Sequence, residues 1–270
     1  MSPPLRARVY TAPWSRYPPA MQGVFHSVII PVLHEAASIA ALVAHIRSLP
    51  APGPVEIVVV DGAPGADTLA ALDVVNGPDL LLVPSPAGRA GQMNLGALAS
   101  HGEILVFLHA DTTLPHEAFS LIAETLADPA VAGGAFDLEF GPQATPGQRW
   151  IARRANSRSR RTRVPYGDQA IFLRRTVFRS LGGFAPLPLM EDLAFMVRLR
   201  TAGYAIRILD APVTTSPRRW QREGTALCTA RNLLIRGLYH LGLPPAWLAP
   251  LYRFDRPNAL PRAAKDIPHD

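Results

Sequence analysis

The chain has almost no lysine and almost no cysteine. Of its 270 residues, Lys265 is the single lysine and Cys228 the single cysteine. One cysteine excludes an internal disulfide, so a reducing, cytoplasmic compartment is expected. Long hydrophobic runs are missing as well. No stretch approaches the ~20 apolar residues of a membrane span, and runs such as 57–60 and 104–108 are strand-sized. The N-terminus lacks the apolar core of a secretory signal. Residues 1–20 hold several prolines and no hydrophobic periodicity, so 1–24 are expected to form a disordered leader, with Met21 a candidate start. Residues 256–270 are expected to be a flexible tail. Acidic residues are also short, 21 against 27 basic, for a net charge of +6. That balance favours acidic partners, such as phosphates, nucleic acid or anionic lipid, without choosing among them.

What is present suits one large α/β domain: 48% of the residues are hydrophobic, ample for a buried core. Strands are expected at 27–32, 56–60, 79–83 and 103–108. Between them, Ile39, Leu42, Val43 and Ile46 space out a helix, 92–100 forms another, and Pro115 opens a third. Continuous Val, Ile and Leu in the strands indicates a parallel sheet covered on both faces.

The second half changes character. A longer strand is expected at 131–140, then an arginine-rich segment at 149–163 read as a solvated face or loop. A strand at 169–173 follows, then a helix after Arg174, a break at Gly182-Gly183, a helix at 191–201 and a strand at 205–209. The domain is expected to span 25–215, with a C-terminal helical segment at 216–255 whose main helix covers 225–243. Its leucines are expected to pack on the domain with its arginines in solvent. The competing reading is weak contact with an anionic membrane surface.

In open parallel sheets, ligands bind at the carboxyl ends of the strands. Three acidic residues fall there: Glu35 after Pro31-Val32-Leu33-His34, Asp61 at the end of the second strand, and Asp111 after Phe107-Leu108-His109-Ala110. One such residue is ordinarily a turn former or helix cap. Three converging carboxylates can bind a hard divalent cation and the hydrogen-bonding edges of a nucleotide. No G-x-G-x-x-G follows the first strand, which argues against a dinucleotide site.

Over residues 27–253 the chain resembles glycosyltransferase family 2 and its GT-A fold. The segments Gly88-Arg89-Ala90-Gly91-Gln92-Met93-Asn94, Phe107 to Asp111, Pro165-Tyr166-Gly167-Asp168-Gln169 and Pro188-Leu189-Met190-Glu191-Asp192 are closest to a bacterial subfamily labelled arsenosugar-biosynthesis glycosyltransferases. Related groups glycosylate carotenoid acids. The resemblance implies an α/β fold with a mostly parallel central sheet flanked by helices and a C-terminal helical appendage.

It also implies roles for residues. Pro31, Glu35, Asp61, Arg89, Asn94, His109 and Asp111 line the donor site, with Glu35 and Asp61 on base and ribose and Arg89 near the diphosphate. Asp111 matches the last carboxylate of the D-x-D motif and binds Mg²⁺ or Mn²⁺. Asp192, paired with Glu191, matches the catalytic base. Asp168, Gln169, Arg219 and Trp220 lie on the acceptor side. This sequence departs from the pattern at His109, where D-x-D begins with Asp, and at Ala63-Pro64-Gly65-Ala66, in place of Gly-Ser-x-Asp.

The implied partners are a nucleotide-sugar donor and an acceptor, small molecule or lipid-like, with no nucleic acid. The expected activity is metal-dependent, inverting transfer of a sugar to a hydroxyl. Localisation is expected to be cytoplasmic or peripheral on the inner face of the membrane. One rival, a nucleotidyltransferase, would want a glycine-rich loop and a lysine after the first strand, and residues 31–36 offer neither. The other is a sugar-nucleotide-binding or membrane-surface protein that has lost catalysis, which the changes at His109 and Ala66 keep open.

Overall fold

The computed structural model describes residues 24–252. The expected leader and tail lie outside the described residues, Val24 excepted. The first half alternates as the hydrophobic pattern requires: β1 (His26–Val32), α1 (Ile39–Ser48), β2 (Val55–Asp61), α2 (Asp67–Leu72), β3 (Leu80–Pro84), α3 (Arg89–Ala99), β4 (Ile104–Phe107), β5 (Thr112–Thr113) and α4 (Ala118–Ala127). The second half holds β6 (Val131–Glu139), α5 (Pro146–Thr162), β7 (Ile171–Arg174), α6 (Arg175–Ser180), α7 (Glu191–Thr201), β8 (Ala205–Thr215), α8 (Arg218–Glu223), α9 (Thr225–His240) and α10 (Pro245–Tyr252).

The strands form one sheet in the order β3-β2-β1-β4-β7-β6-β8-β5. The first four are parallel, as is the β6–β8 pair. β7 is antiparallel to both β4 and β6, and β5 is antiparallel to β8, so the sheet is mixed rather than wholly parallel. The reason is where the connections lie. β6 points the same way as β4, and α5 with the 3₁₀ turn Gly167–Gln169 leads straight back into the sheet from that end, so β7 must descend.

Alternate strand residues feed two cores. Val28, Ile30, Ile57 and Val59 pack on one side with α1 and α4, while Ile29, Val58 and Val60 pack on the other with α3 and α7. β6 is squeezed between its neighbours. A Cβ on Gly133 would strike the Phe172 carbonyl oxygen, and one on Gly134 the Arg207 carbonyl oxygen, so only glycine allows the close pairing.

Two expectations hold only in part: of the two readings of the arginine-rich segment the loop fails, while Arg149, Arg153, Arg154 and Arg161 are exposed as a solvated face requires, and the C-terminal apolar face packs only partly. The arginine-rich segment is not a loop but the 17-residue helix α5, nucleated by a capping box: the Thr145 side chain accepts from the Gln148 N–H, and the Gln148 side chain accepts from the Thr145 N–H. Pro146 fills the first turn, and Arg163 closes the helix in the left-handed region.

The C-terminal helices hide only some of their leucines: Leu248 is buried, and Leu238 and Leu243 pack beside it. Leu227, Leu233, Leu234 and Leu241 are exposed, whereas Arg231 and Asn232 turn inward, Arg231 to pair with Glu223. Only a small cluster of Leu189, Ile235 and Leu248, with Met190 and Tyr239 against it, anchors α9 and α10 to the loop before α7. Pro115 opens a turn, and α4 starts three residues later.

Candidate active site

β1, β2, β4, β6 and β8 all rise to one rim. Buried Gln92 on α3 fixes it: its Nε2 donates to the carbonyls of Val32 (2.8 Å) and Val60 (2.7 Å), holding the ends of β1 and β2 at a set spacing.

Asp111 does not itself end a strand. β4 stops at Phe107, and the chain crosses the rim before entering β5. Pairing of β5 with β8 then sets the position of Asp111. The Ser216 N–H donates to the Asp111 carbonyl (3.0 Å), and the Thr112 hydroxyl donates to that of Thr215 (3.0 Å). Arg218, first in α8, thereby comes to lie between two carboxylates, 3.6 Å from Glu35 Oε1 and 3.9 Å from Asp111 Oδ2. The other Glu35 oxygen accepts from the Ser38 hydroxyl at 2.8 Å. Burial raises the Asp111 pKa; Arg218 opposes this and Glu35 adds to it.

Beside this pair lies a chain of contacts. Arg89, at the start of α3, donates from Nε to Glu191 Oε1 (2.5 Å), and its Nη1 lies 3.3 Å from His109 Nε2. A guanidinium has no lone pair to offer, so His109 accepts at Nε2 and carries its proton on Nδ1. Burial, reinforced by Arg89, lowers this imidazole to a pKa of about 3, so it is neutral at ordinary pH.

Gly167 is wedged next to it. A Cβ there would stand 2.9 Å from His109 Nε2 and 3.0 Å from Asp192 Oδ2. Its N–H donates to Asp192 Oδ2 at 2.6 Å, and the Leu193 N–H donates to Oδ1 at 2.7 Å. Met190, in the left-handed region at φ 64°, turns the chain so that α7 begins on Glu191 and Asp192.

Asp168 completes the group. Burial, then the Asp192 charge, raise it to a pKa of about 6, with Arg158 and Arg89 opposing and Asp111 adding to the rise. Arg158, from the unexpected helix α5, stacks 3.7 Å over the Tyr166 ring.

The raised Asp168 pKa has a testable sign. The folded chain holds this proton up to about pH 6, against 3.8 for the unfolded reference. Asp168 therefore favours the fold fully below pH 4, and the contribution is lost as pH rises through 6. Asp168→Asn, a permanent neutral mimic, is expected to melt a few degrees above wild type near pH 7.5 and level with it near pH 4. Thermal melts at the two pH values check this.

The profile of glycosyl transferase family 2 matches residues 27–182, which carry the rim from β1 through β7. The chain belongs to glycosyl transferase family 2. Among solved structures, the mannosyltransferase PcManGT from Pyrobaculum calidifontis in complex with GDP-Man and Mn²⁺ is similar in fold. Its TM-score is 0.60 at 22% identity, over 90% of this chain and 77% of that one. Residues 1–349 of S. aureus TarS give a TM-score of 0.54 at 16% identity, over 84% and 68% of the two chains. No curated protein matches the chain. At these identities the likeness is one of fold, that of GT-A glycosyltransferases.

At this rim the structure gathers Glu35, Arg89, His109, Asp111, Asp168, Glu191 and Asp192. It does not gather the other expected residues in the same way. Asp61 is fully buried, and its oxygens accept from the Ala63 (2.8 Å) and Thr68 (3.2 Å) N–H groups. The Thr68 hydroxyl in turn accepts from the Glu35 N–H (3.1 Å), so Asp61 positions Glu35 at one remove.

Asn94 is taken up by the Phe184 backbone, donating to its carbonyl (2.8 Å) and accepting from its N–H (2.9 Å). Gln169 is buried between the Ser159 hydroxyl (2.6 Å) and the Phe136 carbonyl (2.9 Å). Arg219 stacks 3.7 Å over Tyr252, and Trp220 packs edge-on against Phe140 at 4.8 Å; both hold the C-terminal helices in place. Pro31 sits in β1 beyond the register paired with β4, where no N–H is required.

Arg218, Arg158 and Gln92 lie in segments that the sequence marks, the arginine-tryptophan segment, the arginine run and the Gly88 to Asn94 motif, but the sequence assigns none of them a role at the site. Arg218 adjoins the Arg219-Trp220 pair expected on the acceptor side, and only the β5–β8 pairing reveals which member faces the rim.

The residues fit a metal in a limited way. Among the described residues no group of three or more His, Cys, Asp and Glu converges on one point. His109 Nε2 is engaged with Arg89, which leaves Asp111, an oxygen donor about one-third exposed, with Glu35 across Arg218. One or two carboxylates suit a hard cation that arrives with a diphosphate and keeps phosphate and water oxygens in its shell.

Proposed function

We propose that the chain is an inverting, metal-assisted glycosyltransferase that moves a sugar from a nucleotide-sugar donor to an acceptor hydroxyl. One observation carries this: an ion-paired Arg89, a neutral His109 and the carboxylates Asp111, Asp168 and Asp192 meet at the sheet rim where open α/β sheets bind ligands. The complex of PcManGT with GDP-Man and Mn²⁺ is consistent with a donor of that class. Inversion follows from the family resemblance.

In this reading the donor's nucleoside lies over the ends of β1 and β2 beside Glu35. Arg89 and Arg218 face its diphosphate. Asp111 would hold the divalent cation, which neutralises the leaving diphosphate without a proton transfer. The acceptor oxygen attacks the anomeric carbon, a new C–O bond forms, the bond to the diphosphate oxygen breaks, and the hydroxyl proton passes to the Asp192 carboxylate. The Gly167 and Leu193 N–H groups hold that carboxylate in place. The acceptor class implied by the four subfamily-like motifs, an arsenosugar precursor or a carotenoid-like acid, belongs to this proposal and rests on those motifs alone.

Screening UDP-, GDP- and dTDP-sugars for thermal stabilisation with and without Mn²⁺ tests the donor. One nucleotide class is expected to raise the melting temperature, more so with metal, and to yield free nucleoside diphosphate slowly. Stabilisation without any release, with every acceptor tried, would favour the sugar-nucleotide-binding protein that has lost catalysis.

A further inference from the structure

α9 leaves much of its apolar surface uncovered. A surface helix ordinarily turns its apolar stripe to the core and its charges to water. Here the inward side carries the buried Cys228 and Ile235 together with Arg231, which pairs with Glu223, and Asn232, while the exposed positions include Leu227, Ala230, Leu233, Leu234 and Gly237. Leu227, Leu234 and Leu241 recur every seven residues, so they line up along one side. No charged Asp, Glu, Lys or Arg falls among α9's exposed residues.

The patch extends to α10, where Trp247 is 71% exposed. It also nears α5, whose first turn approaches that of α9 at Gly147 and Thr225. One turn on, exposed Trp150 has Arg154 5.6 Å from its ring.

Exposed charge on the neighbouring helices α5 and α8 is mostly that of arginine. Of α5's six arginines, Arg149, Arg153, Arg154 and Arg161 are exposed, while Arg158 stacks over Tyr166 and Arg160 pairs with Asp137 and Asp210. Of the five arginines in 218–252, Arg222 is exposed and Arg236 half-buried, while Arg218 faces Glu35 and Asp111, and Arg219 and Arg231 pair with Glu223. An apolar face with exposed tryptophans inside a cationic surround matches the boundary of an anionic bilayer, where rings sit among headgroups and guanidinium groups meet phosphates. A second copy fits poorly, because joining two such faces would crowd their arginines together.

We propose that the exposed face of α9 and α10 docks on an anionic lipid bilayer. No helix among the described residues is long and apolar enough to cross a membrane, so attachment is to the surface. The same two helices share a small core, through Ile235 and Leu248, with Leu189, two residues before Glu191, so docking would set the rim close to the lipid. The inference rests on the composition of the surface and stands whether or not the transferase reading does.

Vesicle co-sedimentation with the full chain tests it. Binding is expected to vesicles containing phosphatidylglycerol, to be at least tenfold weaker to phosphatidylcholine alone, and to weaken in about 0.5 M salt as charges are screened. The double variant Leu227→Glu/Leu234→Glu is expected to lose binding at least tenfold while keeping its melting temperature; Trp247→Ser serves if the double variant does not fold. Absence of binding by the wild type overturns the proposal. So does undiminished binding by the folded variants, which would leave a purely electrostatic surface. A dimer in sedimentation that the leucine variants dissolve would assign the face to a second copy instead.

Discussion

Asp192→Asn is expected to bind the nucleotide sugar as wild type does and to transfer about 10²–10⁴-fold more slowly, the range for loss of a general base. Both Asp192 oxygens accept backbone N–H groups, Gly167 at 2.6 Å and Leu193 at 2.7 Å, so the carboxylate is immobilised before any acceptor arrives. An amide of the same shape keeps one of these bonds and removes the basic oxygen. The donor contacts proposed for Glu35, Arg89 and Arg218 are left alone, so donor-dependent thermal stabilisation should persist. Single-turnover transfer at saturating donor, measured beside that stabilisation, separates the two. Asp168 is the rival base, with its pKa of about 6 and its place one residue past Gly167. If Asp192→Asn transfers near the wild-type rate and Asp168→Asn does not, the proton goes to Asp168.

The second large effect is expected at Asp111. Asp111→Asn should fold normally, because burial already opposes the charge on this group and its ion pair with Arg218 is long, at 3.9 Å. What it should lose is the gain in donor affinity given by Mn²⁺, at least tenfold, or about 1.4 kcal/mol. Titrating donor with and without Mn²⁺ reads this as the difference between two curves. Unchanged metal dependence in the folded variant would move the cation to Glu35, and Glu35→Gln would then carry the loss.

Much of this arrangement was legible because burial writes itself into sequence. β1, β2 and β4 are covered on both faces, so they appear as unbroken runs of Val, Ile and Leu, and the residues just beyond them were placed at the rim. Asp111 was read as a strand end although β4 stops at Phe107, since hydrophobicity continues through Leu108 for reasons of packing rather than pairing.

α5 escaped notice because its arginines hide any apolar stripe. Its signal was local instead: Thr145, Pro146 and Gln148 spell a capping box with proline in the first turn. Arg218 could not be chosen over Arg219 from the sequence, because which one faces the rim depends on pairing across distant strands. The direction of α9 was misread for a related reason. Its leucines are spaced as a core stripe would be, but the side that faces inward is the one carrying Cys228, Ile235 and the Arg231–Glu223 ion pair.

The link between β5 and β8 bears on how the chain acquires its site in time. Thr112 and Thr215, whose hydroxyls meet, are 103 residues apart. The β1–β4 units close over short loops and can assemble early, but loop-closure entropy delays so distant a pairing. Arg218 follows β8 by three residues, so the same late event seals the sheet edge and delivers the guanidinium to Glu35 and Asp111. A nascent chain short of β8 would then hold an open edge and an incomplete rim. In hydrogen exchange, the amides of Thr112 to Leu114 and Val213 to Ser216 should open together, ahead of β1 and β2.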